Sequence, residues 1–218
     1  MRTPLIYQMT RYDCGPTTWI NALRFLYERE EIVPELLRAV YERTLDDFNE
    51  EGELGKLGTS HQAMRHVARY LDMYGKASGF PITTAILRGS RASLAPGSEA
   101  FRLLEGNGGK AAEGRAAAIA RVWHGGNGHY LLLTGVECGR VLAFDPFLEG
   151  AGEGRGAVDG ELIREVTGRP LEANRSVDPL VFNREVRADY ALKSAANADP
   201  TDPEGGELIV IRRGGGRS

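Results

Sequence analysis

The stretch GHYLLLTGVECGRVLAFDPF, residues 128–147, limits the possible folds of this chain more than any other. Two β-rich apolar runs flank a turn at Glu137–Arg140, and that pattern folds back on itself as an antiparallel hairpin. The alanine-rich run RAAAIARVW before it reads as a further strand. Cys138 falls in the hairpin turn, where its identity is incidental to the fold.

The chain ahead of these strands has a different period. PTTWINALRFLYERE places Trp19, Ile20, Leu23, Phe25, Leu26 and Tyr27 on one broad side, with a proline in the first turn, as a helix does. PELLRAVYERTL repeats the signal with Leu36, Leu37, Val40 and Tyr41. TSHQAMRHVARYLDMYG makes a third helix, with Thr59 or Ser60 as N-cap and Gly75 as the expected stop. PLIYQM, FPITTAIL, PLVFNREVRADYAL and ELIVIRR read as strands, and SEAFRLLEG as a short helix. ELIREV is ambiguous; NGGKAAEG, LEGAGEGRGAVDG and ANADPTDPEGG read as loops. Helices first and strands afterwards predict an α+β fold with segregated layers, one domain over 1–213, and a flexible tail at 214–218.

With 218 residues, 42% of them hydrophobic, the chain is long enough for a substantial core. A net charge of −3 argues against nucleic-acid or anionic-membrane partners, and no apolar run approaches the roughly 18 residues of a spanning helix. No secretory signal is recognisable at the N-terminus, so a cytoplasmic location and reduced thiols at Cys14 and Cys138 are expected. GELGKLGTS and GNGGKAAEG match no phosphate-binding loop, and no cofactor is expected.

Cys14 stands in an Asp-Cys-Gly-Pro turn directly ahead of the first helix, an unusual place for a packing cysteine. A helix N-terminus favours the thiolate, and a nearby base completes a nucleophile. The chain offers four histidines. His61 and His66 lie five apart on one predicted helix and point in different directions. His124 and His129 bracket HGGNGH without further ligands for a metal. His129 opens the hairpin and Asp145 closes it sixteen residues later, so folding brings them to one edge, where a carboxylate can orient an imidazole. His124 is the rival base. Gln8, six residues before Cys14, can donate to an oxyanion together with the Cys14 N–H.

The pattern of Gln8, DCGP, GHY ahead of an apolar strand, and DP sixteen residues after the histidine resembles the papain-like cysteine peptidase superfamily. Within it the chain is similar to the C39-like group, related to the double-glycine leader peptidases of bacteriocin exporters. The resemblance implies Cys14 as nucleophile, His129 as general base and acid, Asp145 as orienter and Gln8 as oxyanion donor. It also implies an N-terminal helical lobe carrying the cysteine and a C-terminal antiparallel β lobe carrying His and Asp. The expected function is a cysteine peptidase or amidase that forms a thioester acyl-enzyme with a peptide or related amide. An acyltransferase, a peptide-binding module of the same fold without catalysis, and a purely structural role for Cys14 are the alternatives. The motifs cover the first thirty or so residues and about 116–147; the segments 75–115 and 147–207 exceed a minimal catalytic domain.

Overall fold

The hairpin forms as the sequence predicts, with β3 (Asn127–Glu137) and β4 (Arg140–Phe144) joined by Cys138 and Gly139, both at positive φ. The computed structural model describes residues 1–107, 114–147, 160–193, 197 and 206–214. Around the hairpin, β1 (Ile82–Arg88), β2 (Ala116–His124), β5 (Ile163–Glu165), β6 (Arg175–Val177) and β7 (Glu207–Arg213) complete one sheet. Its order is β1-β7-β2-β3-β4-β6-β5, and every neighbouring pair is antiparallel.

Helices cover the sheet. On one face α1 (Cys14–Leu26), α2 (Pro34–Arg43) and α3 (His61–Ser78) bury Trp19, Leu23, Leu36, Met64 and Leu71 against Ala117, Ile119, Tyr130 and Leu132. Burying a side chain such as Leu23 stabilises the fold by roughly 1.5–3 kcal/mol. On the other face α4 (Glu99–Glu105) and the single turn α5 (Pro179–Phe182) enclose Phe101, Leu104, Val181 and Phe182 with Leu131, Leu133, Val141 and Ala143. The alanines of β2 leave room for α1 on one side and α4 on the other, both of which touch it. Among the described residues no helix is long and apolar enough to cross a membrane.

Several sequence expectations need correction. PLIYQM is not a strand: its backbone bonds run to Asn21, which accepts from Ile6 N and donates to Ile6 O, and to the Pro170 and Pro146 carbonyls. Helix α1 starts two residues earlier than the proline implies, at Cys14 itself, and stops at Leu26. PLVFNREVRADYAL forms one helical turn and irregular chain, because Asp178 caps Leu180 N and Pro179 opens the turn. ELIREV resolves as strand β5. Ser60, not Thr59, caps α3. The loops at 108–113, 148–159 and 198–205, and the tail from 215, lie outside the described residues.

Helix α3 runs through Gly75 and ends against Gly79, which takes the left-handed φ of 76° that a helix stop needs. Gly75 is instead a contact point, since a Cβ there would lie 2.3 Å from the Ile82 carbonyl at the start of β1. Gly75→Ala should therefore destabilise the fold by about 1–3 kcal/mol despite the better helix propensity of alanine. Urea denaturation checks this; an unchanged or raised midpoint would show that β1 does not crowd α3.

Candidate active site

Cys14 is the first residue of α1, and its neighbours explain why the helix can begin there. Asp13 occupies the N-cap position without capping the helix with its side chain. Its carboxylate turns back and accepts from Met9 N, Thr10 N and the Thr10 hydroxyl, at 3.0, 2.8 and 2.7 Å. Gly15 follows because the Thr59 side chain packs against its backbone; a Cβ on Gly15 would lie 2.7 Å from Thr59 Cβ. Helix α1 is pinned to β3 by the buried Thr18 hydroxyl, which donates to the Tyr130 carbonyl at 3.1 Å. That bond lies one residue beyond His129.

His129 and Asp145 are both buried, with 6% and 2% of their surfaces exposed. His129 Nε2 lies 2.7 Å from Asp145 Oδ1, which makes it the donor, and the Cys14 side chain is close enough to act on the imidazole from its other side. With Nε2 engaged by the carboxylate, Nδ1 is the nitrogen left for sulfur. Burial pushes the imidazole down, but the Asp145 charge and hydrogen bond, with Cys14, outweigh it and raise the His129 pKa to about 10. Burial likewise pushes Asp145 up, while the His129 charge and the hydrogen bonds from His129, Tyr190 and Phe147 N pull it down to about 2. At neutral pH the pair is an imidazolium facing a carboxylate.

A slip in the β3–β4 ladder makes this meeting possible. Leu133 pairs with Ala143 but Gly135 pairs with Leu142, so β3 carries one extra residue, Thr134. One step past the pair Leu132–Phe144, Asp145 falls opposite Leu131 and shares its face, which by alternation is also the face of His129. Without the extra residue Asp145 would sit opposite Leu132 and point away.

Cys14, His129 and Asp145 thus stand in series, while Gln8 lies beside them. Gln8 N donates to the Pro146 carbonyl at 2.9 Å, and its Nε2 donates to the Thr10 carbonyl at 2.7 Å. Its Oε1 is buried without a hydrogen-bond partner. His124 packs against the His129 ring with 5.3 Å between centroids and against Phe147, but it is His129 that Asp145 engages. His61 lies against Arg121, and His66 is exposed. Among the described residues no group of three His, Cys, Asp or Glu side chains is placed to hold a metal ion.

Two residues of the site carried no signal in the sequence. Asn174 grips the Asp145 backbone from both sides, accepting from its N–H at 2.8 Å and donating to its carbonyl at 2.7 Å. Tyr190 donates its hydroxyl to Asp145 Oδ2. Both come from the segment after Pro146 that the motifs leave unread.

No protein-family model and no curated protein matches the sequence. The structure is similar to the peptidase domain of Streptococcus ComA, a bi-functional ABC transporter involved in a quorum sensing pathway, at 13% identity and a TM-score of 0.42, over 97% of this chain and 98% of that one. It is also similar to a double glycine motif protease from an AMS/PCAT transporter, solved in complex with the leader peptide, at 13% identity and 0.43, over 96% and 91%. The peptidase domain of Streptococcus mutans ComA matches at 13% identity and 0.33, over 66% and 78%. At that distance the likeness says nothing of chemistry, which has to come from the side chains themselves.

The raised His129 pKa makes stability depend on pH with a definite sign. Its contribution is whole below the ordinary value of 6.5 and disappears as pH rises through about 10. The depressed Asp145 adds stability that is whole above its ordinary 3.8 and lost as pH falls through about 2. The stability advantage of the parent over His129→Gln should be greatest between these limits and shrink steadily from pH 6.5 to 10. Urea titrations across that range measure it; a difference that does not vary with pH would contradict the ion pair.

Proposed function

We propose that the chain is a thiol hydrolase of the cysteine-peptidase type, acting on a peptide or related amide through a thioester acyl-enzyme. The observation that carries this reading is the buried His129–Asp145 pair beside Cys14 at the N-terminus of α1. A structural His–Asp pair has no use for a thiol at a helix start, whereas nucleophilic catalysis needs all three.

In the first step the Cys14 sulfur attacks the carbonyl carbon as the thiolate, its proton already held by His129 as the imidazolium. The tetrahedral oxyanion is held by the Cys14 N–H and the Gln8 amide. Gln8 Nε2 has two N–H groups, one of them used on Thr10, which leaves the other for the oxyanion. His129 returns its proton to the departing amine, leaving a thioester. Water then gives a proton to His129 and its oxygen to the acyl carbon, releasing the acid and restoring the thiolate beside the imidazolium. Asp145 keeps the imidazole oriented throughout and stabilises its charged form. The papain-like division into lobes belongs to the same proposal, with Cys14 on α1 in the helical part and His129 and Asp145 on the hairpin in the β part.

Iodoacetamide labelling from pH 5 to 9, with the modified cysteine located by peptide mass spectrometry, tests the reading without a known substrate. An ordinary thiol with a pKa of about 8.5 scarcely reacts in acid. Cys14 should react well ahead of Cys138 at pH 5–6, and His129→Ala should remove that lead while His124→Ala leaves it. Cys14→Ser should abolish release of amines from a peptide library, and His129→Ala should lower it by about 10³-fold or more. If Cys14 labels no faster than Cys138 in the folded parent, the hydrolase reading is wrong. Amide products in place of acids when a free amine is added would move the assignment to acyl transfer.

A further inference from the structure

The proposed chemistry uses Cys14, His129, Asp145 and Gln8, and leaves one oxygen of the carboxylate unexplained. Asp145 Oδ1 serves His129 Nε2 at 2.7 Å and Phe147 N at 2.9 Å. Oδ2 takes the hydroxyl of Tyr190, a residue 45 positions further along the chain. Resting on the hydrolase reading, we infer that Tyr190 is a positioning residue of this site, whose hydroxyl fixes Oδ2 and draws off part of the carboxylate charge, so that Oδ1 is aimed at His129 with a set strength.

Three independent features support this. The first is the direction of the proton. An ionised carboxylate only accepts, and the Arg175 guanidinium acting on Tyr190 only donates. The tyrosine's own hydrogen is therefore committed to Asp145. The second is the backbone. Tyr190 has a φ of 63°, a left-handed conformation that a bulky residue adopts only where its surroundings impose it. Tyr190 N donates to the Trp123 carbonyl at 2.8 Å and Trp123 N to the Ala191 carbonyl at 2.9 Å, locking the segment to the end of β2. The adjacent β2 residue Val122 is paired with His129. The third is the ring, which lies parallel to Phe182 with 6.5 Å between centroids, inside the core on that face of the sheet. Backbone, ring and hydroxyl are thus all fixed by separate contacts, and what they hold is the carboxylate behind His129.

The charged and titratable groups around the imidazole come from four elements or their flanks. Cys14 is on α1, His124 on β2, Asp145 follows β4, and Arg175 is on β6, acting through Tyr190. Of these Asp145 is the one that Tyr190 touches, so changing how its charge is shared changes the basicity of His129. Removing the tyrosine hydroxyl concentrates that charge on Oδ1 and strengthens its hold on the imidazolium. A more acidic phenol does the reverse.

The test is the ionisation of His129 in the full chain, followed through its ring nitrogens by NMR of protein labelled with ¹⁵N-histidine between pH 5 and 11. Each histidine signal is assigned by a single His→Gln change. Tyr190→Phe, which keeps the ring and its contact with Phe182, should raise the His129 midpoint by about half a pH unit or more. Site-specific replacement of Tyr190 by 3-fluorotyrosine, nearly isosteric and a stronger donor, should lower it. A residue that served only to fill space would leave the fluorinated protein superimposable on the parent, and that result, or shifts of the opposite sign, would overturn the inference. The fluorinated protein decides the matter alone if Tyr190→Phe does not fold. A parent in which His129 titrates near the ordinary histidine value would remove the ion pair itself and, with it, the proposed function; a high parent midpoint with no response at Tyr190 would remove only the role of the tyrosine.

Discussion

A carboxylate with 2% of its surface exposed has to be satisfied or it does not stay charged, and Asp145 is that group here. Its side chain receives hydrogen bonds from His129, Phe147 N and Tyr190, and its main chain is held at both ends by Asn174. These partners come from β3, from the turn after β4, from the chain before β6 and from the segment after α5. None of the four segments can come to rest elsewhere without leaving the buried carboxylate, or the main chain that carries it, short of a partner. Breaking one side of such a pair typically costs about 3–5 kcal/mol, a large part of the stability of an ordinary domain. The site and the packing of the chain after Pro146 are consequently one problem with one solution.

The extra residue in β3 belongs to the same constraint. Thr134 and Gly135 interrupt an otherwise regular ladder, and the apolar pattern records the interruption: Leu131 and Leu133 face the second core, and beyond the slip Val136 does so too. A shift of one residue exchanges the two faces of a strand. The slip lets the turn half of the hairpin and the site half each bury the correct side chains, while bringing Asp145 to the His129 face. The Thr134 hydroxyl donates to the Leu142 carbonyl at 3.3 Å at that point, so the irregularity carries its own hydrogen bond.

What could be read from residues alone was local or periodic. The helical spacing of Trp19, Leu23 and Leu26 and the run-turn-run of the hairpin are patterns within one element, and they led to His129 and Asp145 because the hairpin ends are neighbours by construction. Asn21, Asn174 and Tyr190 act across 15, 29 and 45 residues, and nothing near them in sequence marks what they will meet. The apolar alternation of PLVFNREVRADYAL suggested a strand because it cannot show that Asp178–Pro179 starts a turn or that Tyr190 is forced to positive φ. Gly75 looked like a helix stop because a glycine that ends a helix and one that another strand leans on are the same letter. Only the Ile82 carbonyl distinguishes them.

The Asp-Cys-Gly-Pro turn can now be explained residue by residue. An N-cap aspartate ordinarily takes up N–H groups of the first helical turn. Asp13 does not, because its carboxylate is occupied by Met9 N, Thr10 N and the Thr10 hydroxyl, which bends the chain between Gln8 and Cys14 into a fixed loop. Pro16 has no N–H to satisfy, and Thr17 N already reaches the Asp13 carbonyl at 3.1 Å. The N–H groups of Cys14 and Gly15 are then the ones outside the helix's own ladder, at the positive end of its dipole. Under the proposed mechanism that is where a negative oxygen would form. Gly15 also lets Thr59 press close, so the start of α1 is held from the side that a Cβ would otherwise fill. Each of the four residues keeps the helix N-terminus either rigid or unoccupied, and both conditions are needed if a thiol placed there is to react with a substrate and not with its own surroundings.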